Sequence, residues 1–515
     1  MTRIRPARSV PGSARAAARG WASLAIALAA CTGAKRAPIC VPGDACTPAN
    51  PCKVGTTSCD ATLACAETDA GLPDGTSCGT NQVCAAGACI ACTEGASCIP
   101  AANPCHKGVV NCATGAPLCT DTLAVGDDGA ACGPDLTCKA GLCGAGDGAD
   151  GAFVYSGSQP LDPARASARG AAGSTSLTVD SVAGFAAGQL LFIHQSTGAN
   201  AGLYEEATIQ AVGTATLVLA APLRNTFGAG AQAVVERRFT DFTLPASATL
   251  TTVPWDGTKG GIVVFKARGA VHIDGRLTVA GLGFRGGVAG PSPSDYVTNA
   301  QGEGTSGTGP VRAGSNSAPN ANGGGSGCGQ GSGGGGGNGT AGSPGTFPAP
   351  GGCEAACAGT GLGQGGSAAG QADLTRAVFG GGGGASGSHG GSGRDGAVGA
   401  SGGGLVFIHA GTLFVNLKLD ANGANGADGY FAPLANQPVG GGGGGSGGSI
   451  RLVARSIQIN DAAVTAVGGA GGASAVAGQC SPSGKGGAGG DGRIYLSAPQ
   501  ITGTTTPAAV KGTGP

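Results

Sequence analysis

The chain has 515 residues, equal numbers of basic and acidic side chains at 29 each, 107 glycines, 21 cysteines and only five histidines. Taking away the first thirty residues, which hold five arginines and no acid, leaves 24 basic against 29 acidic groups, a balance that disfavours nucleic acid as a partner. With 4% aromatic and 11% charged residues the chain cannot be uniform in its folding physics, and its composition changes sharply along its length.

Arg3, Arg5, Arg8, Arg15 and Arg19 precede an apolar run from Trp21 to Ala30. That run has the length of a signal-peptide core and is too short to span a bilayer as a helix. Leu28-Ala29-Ala30-Cys31 resembles a bacterial lipobox, which implies cleavage after residue 30 and a diacylglycerol on the Cys31 thiol. Residues 1–30 are therefore expected to be a lipoprotein signal peptide and 31–39 an anchor linker. Thr32 rather than Asp after the cysteine implies, within that resemblance, the outer membrane.

Sixteen cysteines follow in two copies of one spacing. Residues 40–91 hold Cys40, Cys46, Cys52, Cys59, Cys65, Cys78, Cys84 and Cys89, and residues 92–143 hold Cys92, Cys98, Cys105, Cys112, Cys119, Cys132, Cys138 and Cys143. The displacement is 52 to 54 residues, and CTPANPC at Cys46 matches CIPAANPC at Cys98. No Phe, Tyr or Trp lies between Cys40 and Cys143, so burial alone cannot fold these units and disulfides are expected to make up the deficit. Eight cysteines allow 105 pairings, and spacing does not choose among them. Cys328, Cys353, Cys357 and Cys480 complete an even set of twenty, leaving Cys31 over. The spacing resembles cysteine-rich repeats of large exported proteins of Gram-negative bacteria. Cys89-Ile-Ala-Cys92 straddles the repeat boundary without the βαβ context or second ligand pair that a redox or zinc site needs.

Residues 144–170 read as a small-residue linker. In 171–245, STSLTVDSVAGFAAGQLLFIHQ, YEEATIQAVGTATLVLAAPL and AQAVVERRFTDFTL are β-branched runs broken by turns, predicting a β-sandwich or barrel-like module. The pattern is similar to β modules that precede solenoids in exported proteins and phage fibres.

Residues 246–515 carry a second repeat. Apolar strands end at Ala267, Ala410, Ala454 and Ala498, in steps of 143, 44 and 44 residues. After each comes a second short strand (VHI, LFV, IQI, IT), and after the first three a third (RLTVAG, LKLDANG, AAVTAVGG). Strands in such register, separated by glycine-rich excursions, predict a parallel β-helix-like β-solenoid with long glycine loops, a twisted sandwich being the alternative. The fold class expected overall is mostly β. The glycine tracts read either as flexible linkers or as extended three-residue-per-turn helices packed side by side. In composition they are similar to the glycine-rich insert of anaplastic-lymphoma-type receptor kinases.

Catalytic constellations are thin. GGSGG around Ser446 satisfies GxSxG inside a glycine tract with no triad partner in view. Asp395, Asp428 and Asp491 sit in segments approaching a calcium-binding nonapeptide, but 33 and 63 residues apart, where tandem copies would be needed, so Asp-Gly turns are the simpler reading. Glu205 and Glu206 are adjacent and point to opposite faces of a strand. His106, His194, His272, His389 and His409 form no ligand motif, and no cofactor is implied. The expectation is a non-catalytic outer-membrane lipoprotein, anchored at Cys31 and facing the cell exterior, whose β head contacts surface polysaccharide or matrix protein. The alternative is a polysaccharide-active β-helix enzyme using Asp274, Arg276, Asp420 or Arg451.

Overall fold

The structure, a computed structural model, describes residues 41–58, 65–100, 105–127, 130–133, 136–139, 142–144, 146–157, 160–289, 300–307, 318–327, 331–346, 361–387, 396–432, 437–475 and 483–512. Among them every regular element is a β-strand, and none is a helix. Contacts divide the chain into two compact units, one formed from Met1–Cys92 with Cys112–Ala116 and the other from Thr93–Asn111 with Pro117–Pro515. Cys31, Cys40, Cys59, Cys328, Cys353, Cys357, Cys480, His389 and Asp395 lie outside the described residues.

Both cysteine repeats use short antiparallel sheets. The first has Ala45–Cys46, Lys53–Thr57 and Cys65–Gly71 as one sheet and Ser77–Gly79, Gln82–Ala85 and Ala88–Ala91 as another. The second repeats this with Ser97–Cys98, His106–Asn111 and Leu118–Val125, then Ala131–Gly133, Leu136–Lys139 and Leu142–Gly144. Disulfides join equivalent positions in the two copies. Cys46–Cys65 corresponds to Cys98–Cys119, and Cys52–Cys84 corresponds to Cys105–Cys138. Cys78–Cys89 and Cys92–Cys112 complete the six described bridges. Cys52, Cys84, Cys105 and Cys138 are almost fully buried, so the cystines themselves form the centres that aromatic side chains supply elsewhere. Such a framework belongs to a protein folded in an oxidising compartment, which places it among exported chains.

Next comes a closed six-stranded barrel. Its circuit runs Arg165–Gly170, Ser176–Val179, Thr216–Leu219, Tyr204–Val212, Leu190–Gln195 and Phe227–Phe239, and the first and last strands pair to close it. Alternate residues point inward: Ala166, Ala168, Leu177, Leu191, Ile193, Ile209, Leu217, Ala233 and Val235 form its core. Closure leaves no sheet edge to manage. The first stave, Arg165–Gly170, comes from the segment read above as linker. Its inward residues are alanines, which fill the barrel without the β-branched signature that marks a strand in sequence.

The long last stave leaves the barrel and pairs in parallel with Ile262–Ile273, through Arg237↔Phe265 to Phe239↔Ala267. From there three columns of parallel strands run in register. Ile262–Ala267 pairs with Leu405–Ala410, then with Ser449–Val453 and Arg493–Ser497. Val271, Leu413, Ile457 and Ile501 align in the second column, and Leu277, Leu419, Val464 and Thr505 in the third. The inward side chains of these columns, among them Phe265, Ile408, Leu413, Leu419, Leu452 and Leu496, make one continuous core. Truncating a fully enclosed member such as Ile408 to Ala costs about 2–5 kcal/mol.

The glycine tracts obey a different rule. Their hydrogen bonds recur every third residue: the amides of Gly423, Gly426 and Gly429 donate to the carbonyls of Val467, Ala470 and Ala473, at 2.8 to 2.9 Å. Gly441, Gly444 and Gly447 donate likewise to Gly484, Gly487 and Gly490, and Gly486, Gly489 and Gly492 to Gly472, Gly469 and Ala466. A period of three along both donor and acceptor chains is the signature of extended three-residue-per-turn helices packed side by side. Residues 331–338, 380–387 and 439–448 are buried. Glycine is required there by close approach: a Cβ on Gly443 would overlap the Gly334 carbonyl, and one on Gly489 the Gly445 carbonyl. Of the two readings of these tracts, the described residues take the packed one.

Candidate functional site

The outer wall of the barrel lies over the outer face of the first column of parallel strands, and a cleft remains between them. Strand alternation decides what faces it. In the barrel, Leu191 and Ile193 point inward, so Phe192 points out, as do Tyr204 and Glu206 on the neighbouring strand and Glu236 on the next. In the column, Val263, Phe265 and Ala267 enter the core, so Val264 and Lys266 face the barrel, followed in register by Phe407 and His409. Phe192, Tyr204, Glu205, Glu206, Arg224, Glu236, Val264, Phe407 and His409 line a cavity of about 100 Å³.

The aromatic wall is continuous. Ring centroids are 4.7 Å apart for Phe192 and Phe407, 4.9 Å for Tyr204 and Phe407, and 5.3 Å for Phe192 and Tyr204. Around it the charges pair. Lys266, 5% exposed, bonds Glu206 at 2.5 Å. Glu205 accepts the amides of Arg224 and Asn225 at 2.7 and 2.9 Å, which fixes the turn at the cleft mouth. Arg451 sits 2.7 Å from His409 Nε2 and lies over the Tyr495 ring. Burial drives the His409 pKa well below the ordinary histidine value, helped by the nearby Lys266 and Arg451 charges, so the ring is neutral. Because a guanidinium can only donate, Nε2 accepts and the ring proton sits on Nδ1, which has no hydrogen-bond partner among the described residues.

The residues singled out in the sequence fall elsewhere. Asp420 is fully buried and held by Arg276 at 3.1 Å and the Thr278 hydroxyl at 2.6 Å, while Asp274 accepts the Asn416 amide. Asp428 accepts the Ala473 amide at 2.7 Å and Asp491 the Gly468 amide at 3.2 Å, both as parts of the glycine packing. Ser446 is buried with its hydroxyl given to Gly337, so its GxSxG setting is a packing position. His106 bonds Asp121, and His272 stacks on Phe414. His194 is enclosed between Ser196 and the Ala377 carbonyl, and burial lowers its pKa to about 4. Among the described residues the one grouping of three possible metal ligands is Cys52, Cys78 and Cys89, whose sulfurs are in disulfides. Of the enzyme candidates, only Arg451 adjoins the cleft.

Comparison with protein-family models, with curated proteins and with solved structures gave no match. The functional reading therefore rests on the residues themselves. The cleft was missed in the sequence because its groups lie on six strands spread from Phe192 to Arg451. A signal was nonetheless present: one residue before the aligned alanines stand Lys266 and His409, and three before stand Val264, Phe407, Arg451 and Tyr495. These are two outward columns with aromatic and basic side chains where a solvated surface would carry small polar ones.

Proposed function

We propose that the chain is a non-catalytic, lipid-anchored protein of the outer surface, held at Cys31, in which the cysteine repeats form a stalk and the β-rich, glycine-packed part forms a head. On this reading the three columns are the faces of a parallel β-solenoid, the glycine helices are its rigid flank, and the head contacts surface polysaccharide or matrix. The observation that carries the proposal is the pairing of two successive repeats at equivalent cysteines, a covalent framework suited to an exported spacer. The packing of the glycine tracts adds to it, because a head whose backbone is fixed presents its surface without the ordering cost a flexible one would bear.

The test uses the mature, oxidised chain against a panel of bacterial and plant polysaccharides, following retained protein and newly released reducing ends together. Retention without release is expected. Saturable release would replace this reading with the polysaccharide-active enzyme, and the cleft carboxylates Glu206 and Glu236 would be the first to mutate. Absence of both would exclude glycan contact for that panel and leave the matrix-protein reading. For the anchor, Cys31→Ser is expected to move the protein from the membrane to the soluble fraction of its host, and unchanged partitioning would refute the lipid.

A further inference from the structure

The first cysteine repeat gathers the sulfurs of two of its bridges in one place. Cys52, Cys78 and Cys89 have their Sγ atoms within 4.8 Å of one another, and Cys52 is bonded to Cys84 while Cys78 is bonded to Cys89. Cys52 and Cys84 are fully enclosed, whereas Cys78 and Cys89 are half-buried and reach solvent. Cys84 and Cys89 stand directly opposite each other across the antiparallel pair Gln82–Ala85 and Ala88–Ala91. Opposed residues in such a pair have Cα atoms about 4.5 to 5.5 Å apart, within the range a disulfide spans. Four sulfurs so placed can be joined in a second way, Cys52 to Cys78 and Cys84 to Cys89, with the strands where they are. The second repeat sets the backbone of Cys138 opposite that of Cys143 in the same register.

We propose that this quartet is a disulfide switch, moved between its two pairings by a small thiol acting as catalyst. The thiolate attacks Cys89 Sγ and breaks the Cys78–Cys89 bond, leaving a mixed disulfide on Cys89 and a thiolate on Cys78. Cys78 Sγ attacks Cys52 Sγ and displaces Cys84 as thiolate. Cys84 Sγ then attacks Cys89 Sγ across the strand pair, closes the new bridge and expels the small thiolate. Two protein disulfides are lost and two are made, so no electron is gained or lost and the thiol is regenerated. The Gln82 side-chain carbonyl lies 3.6 Å from Cys89 Sγ and turns a lone pair toward that sulfur, so the negative charge is better left on Cys78. The consequence is structural. In the described pairing Cys52, at the entry to the strand Lys53–Thr57, is tied to the middle strand of the second sheet, Gln82–Ala85. In the other it is tied to the outer strand Ser77–Gly79, and the middle strand is stapled to Ala88–Ala91. The repeat thus meets an external thiol by changing which strands its bridges join, without losing a bridge. This switch is independent of what the head contacts.

The oxidised full chain is incubated with reduced glutathione, free thiols are trapped with a maleimide, and the protein is digested with pepsin in acid, where exchange stops. Electron-transfer fragmentation then places each bridge. Without glutathione, Cys52–Cys84 and Cys78–Cys89 are expected. With it, Cys52–Cys78 and Cys84–Cys89 are expected to rise together from nil to a plateau of about one molecule in ten, with no gain in free thiol and with Cys46–Cys65 unchanged. Cys89→Ser, which leaves a permanent thiol at Cys78, is expected to yield Cys52–Cys78 and a free Cys84 with no added reagent. An intact Cys46–Cys65 bridge reports that variant as folded; if it does not fold, the glutathione experiment on the unaltered chain decides alone. Persistence of the described pairing alone under glutathione, with or without glutathione bound at Cys89, overturns the proposal. So does mixed pairing that draws in Cys46 and Cys65 to the same extent, because that marks unfolding and not a switch.

Discussion

The cysteine repeats and the glycine bundle face the same shortage and solve it differently. Neither has the apolar side chains to fold by burial, since residues 40–143 lack aromatics and the glycine tracts carry few side chains, most of them small or polar. The repeats substitute covalent bonds, which act by restricting the unfolded chain. The bundle substitutes backbone hydrogen bonds at a period of three, made possible by approach distances that only glycine tolerates. The repeats therefore depend on solution redox potential. The described part of the bundle is held by backbone hydrogen bonds and is intolerant of a single methyl group at its centre.

Substitution of Gly443 by valine puts side-chain atoms into the Gly334 backbone and is expected to cost more than about 4 kcal/mol, read as loss of the glycine bundle's cooperative thermal transition. Gly188→Ala, with a positive φ but open space around it, is the contrast, and is expected to cost only about 1 kcal/mol. Equal losses would show that conformation rather than packing selects glycine in the tracts.

Removing Cys105–Cys138 as a double serine variant is expected to destabilise the second repeat by about 2–4 kcal/mol, seen as new protease cleavage between Cys92 and Cys143. The barrel transition should not move. The two repeats, read onto each other, further predict that Cys40 pairs with Cys59 and Cys132 with Cys143, which disulfide mapping by mass spectrometry checks.

Acid separates the regions again, because disulfides do not titrate and the part beyond the cysteine repeats holds a buried neutral histidine. His194 has a folded pKa near 4 against an ordinary 6.5, so the unfolded state takes up a proton that the folded state refuses. The contribution is intact above pH 6.5 and is lost as pH falls toward 4, reaching about 3 kcal/mol. His194→Gln should flatten that part of the stability profile, and an unchanged profile would refute the assignment.

The smallest effect is at the bundle's edge. Asn422, Asn425 and Asp428 sit three residues apart, and their side-chain oxygens accept the amides of Val467, Ala470 and Ala473. Asn425→Ala is expected to cost about 1 kcal/mol and to speed exchange of the Ala470 amide above all others.

Much of the strand register was legible in the sequence. Aligning the alanines put Ala267 opposite Ala410 across 143 residues, and the structure pairs those two residues. That worked because inward positions of stacked strands meet the same neighbours and so repeat their residue types. The glycine tracts were legible only as a choice, since composition cannot say whether a backbone is solvated or packed. The triplets ANGANGADG and VGGAGGASA carry the period of three, visible once each amide is followed to its partner. Disulfide pairing was closed to sequence, and of the cleft only the column side left a trace, in the residues one and three before the aligned alanines; its members meet because the barrel wall folds over the column.

Amide hydrogen exchange on the oxidised full chain tests the central claim most directly. If the glycine helices are packed as described, amides in 439–448 and 483–492 will exchange as slowly as those of the strand Leu405–Val415. Exchange of those tracts at the rate of an unfolded chain, with Leu405–Val415 still protected, would contradict the account.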